Sequence, residues 1–242
     1  MKLSNKRILI TGGTSGIGLE LVKKLAPDNE LIIISRKGEL PDQLIDGGFS
    51  IRLFHADLSN KLELETVVDQ VQREIQSIDV LINNAAIQFT PEFVSDEFNY
   101  DGIQTEIDLN FTSVCHLTYL LLPQLQAAST GVILNVNSGL AIAPKTDSAI
   151  YCATKSALDS FSRSLQYQLD GSSVSVQQVF LPLVDTRMTA GRGTGKLQAD
   201  DVAVKIIAGI ESGRSVNDIG KVKLLRVVNY IAPWLARRIM RG

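Results

Sequence analysis

The sequence predicts an α/β fold in which helices cover both faces of a parallel β-sheet. Short β-branched segments alternate with longer amphipathic segments along the chain of 242 residues. The short segments 32–34 and 80–82 are apolar at every position, which is typical of strands that are buried on both faces. Because strand and helix alternate, successive strands are expected to be parallel and to form one doubly wound sheet.

The strand candidates are rich in β-branched and apolar residues, and Gly, Asp or Asn marks many of their ends. They are residues 7–11, 30–35, 50–55, 80–83, 132–137 and 174–180. The helix candidates lie between or after them and have apolar residues at helical spacing. They are residues 16–25, 62–75, 103–126, 151–169 and 199–211. Ligands of such sheets bind beyond the carboxyl ends of the strands, so functional residues are expected directly after each strand.

The composition fits one large domain, because 45% of the residues are apolar and no linker, repeat or low-complexity stretch interrupts the chain. Charge is uneven. Residues 221–242 hold six basic residues and no acidic one, so residues 1–220 hold 18 basic and 26 acidic residues and carry a net charge of −8. A body this acidic argues against a nucleic-acid-binding protein. We therefore expect a domain over 1–220 and a cationic amphipathic extension over 221–242.

Nothing in the sequence predicts secretion, membrane insertion or a metal site. The apolar run near the first residue is too brief for a signal peptide, and nowhere do eighteen apolar residues follow one another. Cys115 and Cys152 are the only cysteines and predict no disulfide framework, so a cytoplasmic location is expected. Cys152 has no partner base in the sequence and is expected to be a small helix residue.

Residues 11–18, with the sequence Thr-Gly-Gly-Thr-Ser-Gly-Ile-Gly, form a glycine-rich turn between the first strand and the first helix. Glycines let the backbone approach a pyrophosphate closely, and the free N–H groups and the helix dipole bind the anion. The order G-x-x-x-G-x-G is neither G-x-G-x-x-G nor a Walker A loop. An ordinary turn is the alternative interpretation, but the strand–turn–helix context favours a dinucleotide-binding loop.

The second strand ends in Ser35 and Arg36, where a carboxylate would bind the ribose 2′-hydroxyl of NAD(H). A guanidinium can instead bind a 2′-phosphate and stack on adenine. NADP(H) is therefore the favoured cofactor and NAD(H) the alternative. An exposed surface arginine that contacts no ligand is the other interpretation of Arg36.

Tyr151 and Lys155 are four residues apart in one helix candidate and so share a helical face. A lysine cation near a phenol favours the phenolate, and it can bring a pKa of roughly 10 closer to neutrality. Such a tyrosine is a general acid and base. Taken alone, the pair is more typical of a solvated helix face.

The ordered set of motifs resembles the short-chain dehydrogenase/reductase family. The motifs are 11–18, Asn83-Asn84-Ala85-Ala86, Asn110, Ser138, and Tyr151 with Lys155. The resemblance implies a single Rossmann-like domain with a parallel sheet of about seven strands. It also implies hydride transfer between the nicotinamide of NAD(P)(H) and a carbonyl or alcohol carbon.

The resemblance implies a catalytic role for each of four residues. Tyr151 would be the proton donor, and Ser138 would polarise the carbonyl group. Lys155 would bind the nicotinamide ribose and lower the pKa of the tyrosine, and Asn110 would hold a water that links Lys155 to solvent.

The resemblance also implies cofactor contacts along the carboxyl edge of the sheet. Asp57 and Leu58 would meet the adenine, the 84–86 segment would line the adenosine ribose side, and the segment after the sixth strand would contact the nicotinamide amide. The implied cofactor residues are Gly12, Thr14, Ser15, Gly16, Ile17, Gly18, Ser35, Arg36, Asp57, Leu58, Asn84, Ala85, Ala86, Tyr151, Lys155, Val184 and Thr186.

Two positions depart from the family pattern. Ala86 stands where glycine is usual, which adds a methyl group near the cofactor, and Leu181-Pro182 stands where Pro-Gly is usual, which changes the entry to the following loop. Residues 182–193 and 220–226 resemble a bacterial subgroup of DltE-like oxidoreductases. This subgroup resemblance names no substrate.

Residues 188–196 contain three glycines and two basic residues and predict a mobile flap over the nicotinamide. Arg187, Arg192 and Lys196 are candidates for recognising a carboxylate or phosphate, and solvated loop charges are the alternative. The extension has apolar residues at helical spacing, with Pro233 breaking or restarting the helix. They are Leu224, Val227, Val228, Ile231, Trp234 and Leu235. This helix either contacts an anionic membrane or packs over the substrate cleft or another subunit.

The function predicted from these features is that of an NADP(H)-dependent oxidoreductase acting on a small-molecule carbonyl or alcohol. The alternatives are a non-catalytic NADP(H)-binding regulatory protein and a membrane-peripheral binding protein. The family resemblance further implies a homo-oligomer, a dimer or tetramer, that associates through helices 103–126 and 151–169.

Overall fold

A computed structural model describes residues 1–36 and 38–241. Gly242, the last residue of the predicted extension, lies outside the described residues. The strands are β1 (Arg7–Thr11), β2 (Glu30–Ser35), β3 (Ile51–His55), β4 (Val80–Asn83), β5 (Gly131–Ser138), β6 (Val174–Leu181), β7 (Val184–Asp185), β8 (Leu197–Gln198) and β9 (Val216–Asp218). Seven of them form one parallel sheet in the order β3-β2-β1-β4-β5-β6-β9, and β7 pairs with β8 separately.

The helices are α1 (Gly16–Leu25), α2 (Asp42–Ile45), α3 (Lys61–Glu74), α4 (Asp101–Ile107), α5 (Ser113–Gln126), α6 (Ala149–Gln168), α7 (Ala199–Glu211), α8 (Val222–Ile231) and α9 (Pro233–Arg241). A π-helical segment, Asp108–Thr112, joins α4 to α5. Short 3₁₀ turns occur at Ala26–Asp28, Gly139–Ala141 and Arg187–Thr189.

Alternate residues of each central strand enter two different cores. Ile8 and Ile10 of β1 pack in one cluster with side chains of α1 and α7. Leu9, between them, packs in a second cluster with side chains of α3, α5 and α6. Both faces of the sheet are therefore buried, which explains why the central strands lack the polar–apolar alternation of a strand with one face in water.

The predicted doubly wound parallel sheet is confirmed. The bounds of 7–11, 30–35, 80–83, 16–25 and 199–211 agree with the structure, and the other candidates differ by one or two residues at an end. The helix predicted over 103–126 is interrupted by the π-helical segment. None of the described helices has both the length and the apolar character needed to cross a bilayer.

The order of the strands reverses between β1 and β4, because β2 lies on one side of β1 and β4 on the other. The turn after β1 and the loop after β4 consequently emerge side by side at the carboxyl edge of the sheet. Such a switch point is where doubly wound sheets bind their ligands.

Candidate active site

A cleft of about 920 Å³ opens beyond the carboxyl edge of the sheet. Its walls come from the glycine turn, from the ends of β2 to β6, from α6 and from the α8–α9 hairpin. Of the predicted catalytic and cofactor residues, all but Gly18 and Asn110 line this cleft. The fold thus brings the predicted catalytic and cofactor residues together in one place.

The backbone of the glycine turn has a conformation that residues with side chains rarely adopt. Gly12 and Gly16 have φ angles of +69° and +52°, which L-residues with a Cβ rarely adopt. A Cβ on Gly18 would lie 2.1 Å from the carbonyl oxygen of Gly12. Gly18 does not reach the cleft, so its part is to let the first turn of α1 pack against the loop.

Thr11 and Asn84 hold the glycine turn against the loop after β4. The Thr11 hydroxyl accepts hydrogen bonds from the backbone N–H groups of Asn84 and Ala85, each at 3.0 Å. The Asn84 amide donates to the carbonyl oxygen of Thr11 at 2.9 Å. The sequence analysis assigned no part to Thr11, although a hydroxyl residue between a strand and a glycine turn is the signal for it. Asn84 lines the cleft as predicted, but its amide is engaged by the turn.

Arg36 and Asp57, the two charged residues that the sequence predicts for the adenosine part of a cofactor, lie together at one end of the cleft. Arg36 Nη1 lies 3.5 Å from Asp57 Oδ2, and the Arg36 side chain is 59% exposed. Burial raises the pKa of Asp57, but hydrogen bonds from Ser59 and the charge of Arg36 outweigh it, so that the pKa is lowered overall. Arg36 is therefore held at the mouth of the cleft by a carboxylate and remains open to solvent.

Ser138, Tyr151 and Lys155 converge at the centre of the cleft. Ser138 ends β5, and its hydroxyl interacts with the buried phenol of Tyr151 on α6, whose pKa it lowers. One turn further along α6, Lys155 Nζ lies 5.7 Å from the centre of the Tyr151 ring. It donates a hydrogen bond of 2.9 Å to the carbonyl oxygen of Val136. The predicted sharing of a helical face by Tyr151 and Lys155 is thus observed.

The pKa of Tyr151 moves in the direction opposite to the predicted one. Burial raises it to about 12, and the hydrogen bond with Ser138 and the charge of Arg192 offset only part of this effect. Burial also lowers the pKa of Lys155 to about 8. In this structure desolvation therefore outweighs the groups that lower the pKa of Tyr151, and the phenol stays protonated at neutral pH.

Asn110 lies in the π-helical segment and is completely buried. Its side chain accepts a hydrogen bond from the N–H of Ile87 at 2.9 Å and donates to the carbonyl oxygen of Ile87 at 2.8 Å. It also contacts the Thr154 hydroxyl at 3.3 Å. Asn110 thus ties the loop after β4 to α6, next to Lys155. Bulges of this kind are frequent at functional sites.

Glu106, one turn before Asn110, is a buried carboxyl group that the sequence analysis missed. It accepts a hydrogen bond of 2.9 Å from the N–H of Phe89, and burial raises its pKa. No sequence motif marks it, since an acidic residue in a helix normally faces solvent. Glu106 and Asn110 together fix the backbone of residues 87–89 beside Tyr151.

The model of the family described as short chain dehydrogenase matches residues 6–196. The chain belongs to the short-chain dehydrogenase family. Members of this family are oxidoreductases that use a nicotinamide dinucleotide, so the prediction of an enzyme of this class is confirmed.

Three known proteins are similar to this short-chain dehydrogenase. "Uncharacterized oxidoreductase DltE" of Bacillus subtilis is 39% identical over 77% of this chain and 74% of its own, which confirms the predicted resemblance to DltE. "Very-long-chain 3-oxoacyl-CoA reductase-A" of Danio rerio is 33% identical over 76% of this chain and 60% of its own. A solved short-chain dehydrogenase of Sphingobium yanoikuyae, in complex with NADPH, is 27% identical, has a TM-score of 0.82, and covers 96% of this chain and 94% of its own.

The loop after β6 of this dehydrogenase is braced internally. The hydroxyl of Thr189 donates to the carbonyl oxygen of Val184 at 2.5 Å and accepts from the N–H of Thr186 at 3.2 Å. A Cβ on Gly16 would lie 3.2 Å from the Thr186 side chain, so the loop reaches the glycine turn. The departure at Leu181-Pro182 therefore leaves Val184 and Thr186 on the cleft, where they were predicted.

The basic residues of the predicted flap differ in their surroundings. Lys196 donates to the carbonyl oxygen of Thr189 at 2.6 Å and lies 3.5 Å from Asp185. Arg192 donates to the carbonyl oxygen of Met188. These contacts favour a structural part for Lys196 and Arg192 rather than recognition of an anionic substrate. Arg187 lines the cleft.

The C-terminal helices of this dehydrogenase pack over the cleft, which was one of the two predicted arrangements. Arg226 binds both carboxylate oxygens of Asp218, at 2.6 and 2.7 Å, and lies over the ring of Phe180. This ion pair anchors α8 to the ends of β6 and β9. Apolar residues of the hairpin then form one wall of the cleft: Val222, Leu224, Leu225, Val228, Ile239 and Met240.

Proposed function

We propose that this protein reduces the carbonyl group of an apolar substrate to an alcohol with NADPH, and that Tyr151 is the general acid. The observation that carries the proposal is the convergence of Ser138, Tyr151 and Lys155 on one cleft, which the glycine turn borders. Two hydroxyl groups and an ammonium group at one point are suited to stabilising an oxygen that gains negative charge.

The residues present fit a dinucleotide. The positive φ angles of Gly12 and Gly16, and the cleft beside them, leave room for a pyrophosphate at the N-terminus of α1. Arg36 and Asp57 lie at the end of the cleft where an adenosine would bind. When bound, the nicotinamide supplies the hydride.

The protein's own residues supply the proton and the electrostatic stabilisation. As the carbonyl oxygen gains negative charge, the hydroxyls of Ser138 and Tyr151 donate hydrogen bonds to it, and Tyr151 then transfers its proton. The raised pKa of Tyr151 keeps this proton in place at neutral pH. The Lys155 cation stabilises the phenolate that remains. Asn110 is a positioning residue, because it holds α6 against the loop after β4.

We predict that Arg36→Asp lowers the affinity for NADPH about 10- to 100-fold relative to NADH, which corresponds to the loss of a charge-assisted hydrogen bond to the 2′-phosphate. Dissociation constants from cofactor fluorescence give the ratio. Arg73→Asp makes the same change of charge on the exposed side of α3, outside the cleft, and should leave the ratio unchanged. An unchanged ratio in Arg36→Asp would show that this arginine does not select the cofactor.

The walls of the inner cleft support an apolar substrate. Beside Ser138 and Tyr151 the cleft is bordered by aliphatic side chains: Leu140, Leu183, Met188, Leu225, Val228 and Met240. A chain of methylene groups would be desolvated there, whereas a polyhydroxylated substrate would lose hydrogen bonds to water. The relative named as a very-long-chain 3-oxoacyl-CoA reductase is consistent with such a substrate.

The test is the oxidation of NADPH with straight-chain aldehydes and ketones of increasing length. We expect kcat/KM to rise about fourfold with each added methylene group until the cleft is filled, since each buried CH₂ contributes about 0.8 kcal/mol. Val228→Ser should flatten this dependence. Val227→Ser, the neighbouring position outside the cleft wall, should preserve it. Equal turnover of short polar and long apolar carbonyls would contradict the proposed substrate class.

A further inference from the structure

The α8–α9 hairpin exposes an unusual amount of apolar surface. Its six exposed large apolar residues range from 54% exposed for Val227 to 89% for Tyr230. We call them the apolar face: Leu224, Val227, Tyr230, Ile231, Trp234 and Ile239. Isolated apolar residues are normal on a protein surface, but a contiguous group on one hairpin marks a binding surface.

Basic side chains surround the apolar face, and no acidic residue occurs in 221–242. Five basic residues of the described hairpin and its entry are exposed: Lys221, Lys223, Arg237, Arg238 and Arg241. Arg226 is not part of this group, because Asp218 neutralises it. The surface is thus both apolar and cationic, on a body that is acidic.

The hairpin is held in a fixed orientation on the body. Val222 of α8 and Ala236 of α9 are buried against the body. The ion pair of Arg226 with Asp218 anchors the first of these helices, and the Thr146 hydroxyl donates to the carbonyl oxygen of Arg241 at 2.8 Å at the end of the second. The apolar face is therefore a preformed, exposed surface of the hairpin.

We propose that the α8–α9 hairpin docks on an anionic lipid bilayer. The apolar face would enter the boundary between headgroups and acyl chains, and the basic residues would bind lipid phosphates. Trp234 and Tyr230 are suited to this boundary, since each joins an apolar ring to a polar group. This docking goes beyond the proposed reduction and does not depend on it.

A second copy of the chain fits this surface less well. In a two-fold dimer the same patch meets itself, so the five exposed basic residues of each copy would face one another. Anionic lipid instead complements every one of these charges. The charge pattern therefore favours a bilayer over self-association through the hairpin.

The mouth of the cleft adjoins the proposed docking surface. Leu224 and Ile239 belong to the apolar face and also line the cleft. A docked molecule would open its cleft toward the acyl region, where apolar carbonyl compounds concentrate. Substrate could then enter without crossing water.

Trp234 is the only tryptophan of the chain and is a built-in probe. The experiment mixes full-length protein with phosphatidylglycerol vesicles or with phosphatidylcholine vesicles, at low salt. We expect a blue shift of the emission, quenching by brominated acyl chains and co-sedimentation with the anionic vesicles. Arg237→Glu/Arg238→Glu should weaken binding by about tenfold or more. Arg73→Glu/Arg214→Glu makes the same charge change elsewhere on the surface and should leave binding intact.

Two results would overturn the proposal. One is the absence of a blue shift and of co-sedimentation with phosphatidylglycerol vesicles at low salt. The other is a blue shift that develops with protein concentration in the absence of lipid, together with a dimer mass in light scattering that Trp234→Ala abolishes, because a second copy would then cover the apolar face. Tyr151→Phe should bind vesicles like the wild type, so failure of the proposed reduction leaves this test interpretable.

Discussion

Replacement of Tyr151 by phenylalanine is expected to lower kcat for carbonyl reduction by about 10²- to 10⁴-fold, the contribution of a positioned general acid. The phenol lies at the centre of the cleft beside Ser138, and burial raises its pKa to about 12, so its proton is held at neutral pH. Phenylalanine keeps the packing of the buried ring and removes only the hydroxyl. The measurement is the initial rate of NADPH oxidation with the best aldehyde or ketone of the chain-length series.

The same helix offers a matched control. Tyr167 lies on α6 and is 77% exposed, so Tyr167→Phe should leave kcat unchanged. The affinity of Tyr151→Phe for NADPH should stay within a fewfold of the wild type, because the cofactor contacts of the glycine turn remain. Full activity in Tyr151→Phe would remove the tyrosine from the mechanism. Tight NADPH binding by the wild type without turnover of any carbonyl would favour the regulatory alternative.

Gly18→Ala is expected to abolish measurable dinucleotide binding while the fold survives. The added methyl group would lie 2.1 Å from the carbonyl oxygen of Gly12 and 2.8 Å from the Asn84 amide nitrogen. The glycine turn must move away from α1 to relieve this overlap, at a cost of about 1–3 kcal/mol in the free energy of unfolding. The displaced turn no longer presents its N–H groups to a pyrophosphate.

Two measurements separate the local from the global effect. Urea denaturation gives the loss of stability, and titration with NADPH gives the loss of affinity, which should exceed a hundredfold. Gly102→Ala on α4 is the control, because its Cβ would contact only the movable ring of Phe89 and alanine favours the helix. Normal NADPH binding by Gly18→Ala would contradict this prediction, because the structure has no space for a methyl group at this position.

The sheet and its flanking helices were predictable because their signal is local. A segment such as Ile32-Ile33-Ile34 is apolar at every position only if both faces are covered, and the covering helices carry their own periodicity. β9 (Val216–Asp218) was missed, since its three residues include no apolar run and their exposure is intermediate to high. Its pairing with β6 depends on where α7 ends, and no short sequence pattern predicts that position.

The positions of the candidate site residues were predictable from the sequence, but their pKa values and hydrogen-bond partners were not. The order of the motifs correctly brought Ser138, Tyr151 and Lys155 together, because each follows or faces the carboxyl edge of the sheet. The raised pKa of Tyr151 was not predictable, since burial depends on residues far away in sequence. The contacts of Lys196 with Thr189 and Asp185 were equally unpredictable, because the glycine-rich loop sequence has no periodic pattern that would indicate them.

The α8–α9 hairpin borders the cleft, although it lies outside the chain segment that contains the predicted catalytic and cofactor residues. The residues predicted to hold the cofactor and to transfer the proton lie between Gly12 and Thr186, whereas α8 and α9 add an apolar wall to the same cleft. The family model, matched over 6–196, does not extend over these helices. Under the proposed function, substitutions in the hairpin are therefore expected to change substrate preference while the predicted catalytic residues stay the same.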